Sequence, residues 1–189
     1  MDPSLTRCPW CEKDDLYRTY HDEEWGIPVY DDQTLFENLT LEGFQAGLSW
    51  YTILKKRENF RQAFDGFDPE KIAAWDEAKI QALLQNPGIV RNQKKIRGAI
   101  TNAQAYHALM AEDGGFGRFL WEFVGGKPIV NQFATMDEVP AITPESDQMS
   151  KALRKRGFTY VGSTICYAFM QAVGMVDDHL TTCWKRQGT

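Results

Sequence analysis

Apolar residues return every three or four positions along most of this chain, while the every-second-residue alternation of a half-buried strand is nearly absent. The pattern predicts an all-α protein with helices over about 32–48, 69–85, 92–111, 116–124, 144–156 and 163–173. Helix punctuation agrees with these limits. Asp68-Pro69 and Thr143-Pro144 each set an N-cap side chain before a first-turn proline, and Gly157 stops the helix before it. Gly114-Gly115 and Gly125-Gly126-Lys127-Pro128 read as turns between packed helices. No repeat or long linker divides residues 1–189, so a single domain is expected.

Two places depart from plain helical packing. Leu35, Leu39, Glu42 and Ala46 follow 4, 3 and 4 spacing, which sets the Glu42 carboxylate on the stripe that faces the core. A charge there is costly unless it is paired or used. A bond to a neighbouring helix N-terminus or a buried Arg would explain it structurally; the nearby Phe44, Trp50, Gly43 and Gly47 favour a functional role. The second place is the turn Gln85-Asn86-Pro87-Gly88-Ile89-Val90, which looks like a helix-hairpin-helix. Gly88 permits a tight turn and close approach, and free amides at the next helix start can bind a phosphate. An ordinary interhelical turn has the same pattern, but here Arg91, Lys94, Lys95 and Arg97 follow without an acid.

Composition narrows the choices only modestly. With 43% hydrophobic and 25% charged residues the chain can bury a core. A formal net charge of −5 weighs against nucleic acid as a partner, yet the acid-free basic runs at 89–100 and 151–156 are each a candidate phosphate surface or a solvated helix face. No apolar run approaches the roughly 20 residues that span a bilayer, and the start lacks a signal-peptide pattern. A cytoplasmic, monomeric protein without membrane contact is therefore expected. His107 reads as a surface histidine and Cys166 as a packed core thiol.

Cys8-x12-His21 near one end and His179-x3-Cys183 near the other together make a Cys2His2 set. Thiolate and imidazole suit a closed tetrahedral Zn(II) site, and an i, i+4 pair on one helical turn aims both side chains at one point. Cys8-Pro9-Trp10-Cys11 is also a C-x-x-C, able to act as a zinc knuckle or a redox pair, so spacing leaves Cys8 and Cys11 undecided.

Several long blocks resemble the 3-methyladenine DNA glycosylase I family. They are Leu16-Tyr17 with Tyr20-His21-Asp22-Glu23-Glu24-Trp25-Gly26, Leu41-Glu42-Gly43-Phe44-Gln45-Ala46-Gly47-Leu48-Ser49-Trp50, Leu54 to Glu58, Arg154 to Phe158, Val161 to Tyr167, and Gly174 to His179. The resemblance runs nearly the whole chain, in order. It implies a helix-hairpin-helix glycosylase fold in which a structural zinc on Cys8, His21, His179 and Cys183 joins the N- and C-terminal segments, which favours Cys8 over Cys11. It also implies hydrolytic release of 3-methyladenine from alkylated double-stranded DNA after base flipping.

The same resemblance suggests roles for single residues. Trp50 stacks on the cationic base, with Trp10, Tyr17 and Trp25 as walls. Glu42 accepts from the exocyclic amine and favours the positive charge, and Tyr20 sets its hydroxyl on the base edge. From the hairpin pattern itself, Gly88, Val90, Arg91 and Lys94 are expected to grip the duplex, and Gly47 and Leu48, which border Trp50, to approach the gap left in it, a core position being the alternative for Leu48. The family lacks the aspartate that follows the hairpin in the wider superfamily, and Asp113 is not expected to replace it. A noncatalytic damage-binding module and a zinc-stapled interaction protein are the competing classes.

Overall fold

The computed structural model describes residues 4–112 and 115–186. Helices dominate, in the order α1 (Asp15–Glu23), α2 (Asp32–Gln45), α3 (Trp50–Ala63), α4 (Pro69–Ala73), α5 (Glu77–Gln85), α6 (Gln93–Met110), α7 (Gly115–Trp121), α8 (Pro144–Lys155) and α9 (Ser163–Ala172). Side-chain caps start most of them. Asp14, Asp31, Ser49, Asp68, Asp76, Asn92 and Thr143 each accept a first-turn amide that no helical carbonyl can reach.

The α2 helix is the central post, packed on α3, α6, α7 and α9. Leu35, Phe36, Leu39 and Phe44 from α2 meet Phe60, Phe64, Ile96, Phe116, Phe169 and Met170, all buried. Each such side chain contributes about 1.5–3 kcal/mol of burial. Phe44 packs edge-on against Phe60 and Phe64, so it is a core residue and not a wall of the cavity described below.

Several predicted limits needed correction. The helix expected over 32–48 ends at Gln45, because Ala46 is extended and Gly47 adopts φ +80°. The one expected over 69–85 is two helices, since Asp76 caps a fresh start at Glu77 while Trp75 is tied to Asp65. The expected 116–124 helix tightens into a 3₁₀ turn at Glu122–Val124. Two helices, α1 and α3, were not predicted. Two short parallel strands, β1 (Ile129–Val130) and β2 (Val176–Asp177), pair Ile129 with Val176 and Val130 with Asp177. No helix among the described residues is long and apolar enough to cross a membrane.

A second, smaller cluster joins the two ends of the chain. Cys8, Tyr20, Trp25, Leu54, Leu180 and Cys183 are buried together, with Trp10, Tyr17, Trp50 and Trp184 around them. The Trp184 amide donates to the Thr6 carbonyl (2.8 Å), and Lys185 Nζ donates to the Asp22 carbonyl (2.9 Å).

Candidate active site and metal centre

Between this smaller cluster and α2 lies a cavity of about 200 Å³, lined by Trp10, Tyr17, Tyr20, Trp25, Glu42, Gln45, Trp50, Met136, Ala168 and Gln171. Tyr17 and Tyr20 stand i, i+3 on α1 and so share a face. Trp10 comes from a 3₁₀ turn at Pro9–Cys11, and Trp50 is the first residue of α3 after the Ser49 cap. Trp10 meets Tyr17 and Trp25 edge-on at 4.9 and 5.1 Å, while Tyr20 and Trp50 lie 5.5 Å apart. The walls are thus rigid aromatic surfaces.

Polar groups without partners among the described residues converge on this cavity. Glu42 is 3% exposed, and its Oε2 is buried with no hydrogen bond. The Trp50 indole N–H is likewise buried and unpartnered. Burial pushes the Glu42 carboxyl up from 4.5 to about 8. The Arg57 guanidinium lies 5.9 Å from the Tyr20 ring, but its charge is committed to Glu24 at 2.5 and 2.7 Å. An acid left without a partner costs stability, so its retention points to a ligand.

Beside the cavity, Cys8, His21 and Cys183 bring their donor atoms within 4.8 Å of one another. His21 Nδ1 is engaged by Asp22 Oδ1 at 2.8 Å, leaving Nε2 to face Cys183 Sγ at 3.5 Å. His179 repeats the arrangement, with Nδ1 on Asp177 Oδ1 at 2.7 Å and a buried Nε2 that has no partner. The two imidazoles lie 4.9 Å apart. Carboxylates that hold Nδ1 and turn Nε2 inward are the usual outer partners of metal-binding histidines. Gly26, at φ +77°, leaves room for His179, since a Cβ there would come within 2.7 Å of the ring. Cys11 is turned away, its thiol donating to the Cys8 carbonyl at 3.1 Å. The structure thus groups three of the four expected ligands, Cys8, His21 and Cys183, while His179 stands beside His21 but outside that group.

The turn between α5 and α6 is held by its own polar atoms. The Gly88 amide donates to Asn86 Oδ1 at 2.8 Å, and Lys56 Nζ donates to the Pro87 carbonyl at 2.9 Å. Ile89 anchors the turn in the core, with Gly88 and Val90 half-buried. Arg91 and Lys94 are exposed, and neither has an ion pair among the described residues. The other two charges of this basic run are otherwise engaged, which corrects the expectation of a four-charge surface. Arg97 pairs with Glu77 at 2.5 Å, and Lys95 is buried. Its ammonium donates to the Phe44 and Ala46 carbonyls at 2.8 and 2.6 Å, closing the C-terminal end of α2. Lys95 thereby fixes the hairpin against Gly47 and the exposed Leu48. In the second basic run Arg156 pairs with Glu112, and Lys151, Arg154 and Lys155 are exposed.

Asp113 lies outside the described residues. His107 is exposed, and Cys166 is buried with its thiol toward the Val161 carbonyl. Sequence reading missed Gln45, Met136, Ala168 and Gln171 as cavity residues. For Gln171 a signal existed: it is the only amide side chain in the apolar run 165–173.

An aromatic cavity sized for one ring system, an unpaired buried carboxylate and a basic interhelical turn suit a protein that takes a single base from DNA, and sequence relatives place the chain among DNA base-excision glycosylases. The methyladenine glycosylase family profile matches residues 10–186. Over 178 residues the chain is 51% identical to the DNA-3-methyladenine glycosylase of Haemophilus influenzae, covering 94% of this chain and 96% of that one. Among solved structures it is similar to 3-methyladenine DNA glycosylase I, with TM-score 0.93 and 52% identity over 95% and 98% of the two chains. It is also similar to the Staphylococcus aureus 3-methyladenine DNA glycosylase I solved to explain 3-methyladenine recognition. That match has TM-score 0.92 and 38% identity over 96% and 97% of the chains. The chain belongs to the methyladenine glycosylase family.

Proposed function

We propose that this chain hydrolyses the N-glycosidic bond of 3-methyladenine in alkylated double-stranded DNA, releasing the free base and leaving an abasic sugar. The observation that carries this reading is Glu42, a buried carboxylate with an unpartnered oxygen at an aromatic cavity. Methylation at N3 makes the attached adenine cationic. Trp50 stacks on the flipped base, aromatic walls favour its charge, and Glu42 supplies the single compensating anion. The Tyr20 hydroxyl meets the base edge. The base departs neutral with the bonding electrons, water oxygen bonds to the anomeric carbon, and the water proton passes to solvent.

Arg91 and Lys94 meet backbone phosphates beside the Gly88 and Val90 turn, as in a helix-hairpin-helix grip, while Gly47 and Leu48 occupy the gap left by the flipped nucleotide. Cys8, His21, His179 and Cys183 would hold Zn(II), whose contribution is structural because four protein ligands leave no position for a catalytic water. The orphaned His179 Nε2 and the two carboxylate-held imidazoles support that assignment. The test is chromatography of bases released from methylated DNA by the wild type and by Glu42→Gln. Selective 3-methyladenine release by the wild type, much reduced in the variant, is expected; equal release by both would remove Glu42 from the mechanism.

A further inference from the structure

Gln171 faces the cavity from α9 with one end of its amide already fixed. Its Nε2 donates to Asp178 Oδ2 at 2.8 Å. Asp178 is 1% exposed and also accepts from the Tyr167 hydroxyl at 2.6 Å and from Asn131 Nδ2 at 2.7 Å. A carboxylate only accepts, so the Gln171 amide must present its N–H to Asp178 and turn its oxygen away. That oxygen receives no hydrogen bond among the described residues and is not sealed from solvent. The Gln171 amide oxygen therefore joins the Glu42 carboxylate among the acceptors that line the cavity.

We propose that Gln171 is a specificity-determining residue: its amide oxygen and the Glu42 carboxylate each accept one N–H of the exocyclic amine at C6 of adenine, and Asp178 positions it. The proposal rests on the base-excision reading above. An amine carries two N–H groups and satisfies both acceptors, whereas guanine presents a carbonyl oxygen at the same edge. Two acceptors facing that oxygen repel it and give it no donor, so guanine loses at this edge the hydrogen bonds that the adenine amine makes. Selection for adenine over guanine is then built into the floor of the cavity.

The experiment measures single-turnover release of 3-methyladenine and 3-methylguanine from methylated DNA by wild type, Gln171→Met and Asp178→Asn. Gln171→Met keeps length and burial but removes the acceptor. It should slow 3-methyladenine release about tenfold, the effect of one hydrogen bond, without slowing 3-methylguanine release, so the ratio falls. Asp178→Asn frees the amide to rotate and should lower the ratio by a smaller factor. Gln171→Asn, which withdraws the amide by one methylene, should act in the same direction and guards against a packing defect in the Met variant. Binding of the two free bases, read by tryptophan fluorescence, should show the same change in ratio. A ratio unchanged in folded Gln171 variants overturns the inference while leaving base excision standing. Release of neither base by the wild type overturns the excision reading itself.

Discussion

Replacing Glu42 by Gln should make this protein more stable while making it a poorer enzyme. Folding raises the Glu42 carboxyl from 4.5 to about 8, and burial alone is the cause. Between those values the folded state binds a proton that the unfolded chain has released, so stability falls as pH rises through that window. The loss accumulates at about 1.4 kcal/mol per pH unit, reaching about 3 kcal/mol at pH 7. Gln has nearly the same shape and no charge, so the variant escapes the loss. Denaturant unfolding of both proteins in the metal-loaded state, from pH 5.5 to 8, checks this, because terms common to both cancel in the difference. The two curves should diverge with rising pH, the variant being the more stable. Parallel curves, or a variant less stable at pH 7, would refute the claim that the carboxyl is held in the cavity without a charged partner. A cationic base supplies the missing partner and lowers that pKa. The excision kcat/KM of the wild type should therefore climb through pH 8 and level off only above it, while the residual activity of the variant stays flat over the same range.

Other residues give further tests. The double substitution of Arg91 and Lys94 by Ala should reduce the salt dependence of duplex binding by about two phosphate contacts, with little change in affinity for free 3-methyladenine; an unchanged slope would place the grip elsewhere. Cys8→Ser should abolish stoichiometric zinc retention after dialysis and lower Tm, whereas Cys11→Ser should keep the metal, as elemental analysis would show. Equal loss from both variants would mean that Cys11 is also a ligand. Lys95→Met should cost roughly 1–3 kcal/mol by leaving the Phe44 and Ala46 carbonyls without a donor. Thermal unfolding at unchanged Tm would contradict that role.

The sequence made some features legible because they break a rule visible along one helix. Glu42 stood out as a charge on an apolar stripe, and the Asp68-Pro69 and Thr143-Pro144 starts appear at the expected positions. The α1 helix escaped detection because its pattern, DLYRTYHDE, is polar with two tyrosines. In the folded chain those tyrosines line the cavity. The α3 helix was hidden by the basic and polar residues that follow its aromatic start. Lys95 looked like part of a phosphate surface because sequence shows charge but not direction; its inward turn is set by the carbonyls of α2, 49 to 51 residues earlier. The fixed orientation of Gln171 depends on Tyr167, Asn131 and Asp178, contributed by three separate segments.

The Lys95 ammonium has a mechanical consequence. It springs from the helix that bears Arg91 and Lys94 and ends on the stretch between Glu42 and Trp50. Grip and cleft are therefore held at one fixed distance, like the jaws of a set gauge. On the proposed function, such a gauge would meet each nucleotide without rearranging, and a base that swings out would find its receptacle already at the right span.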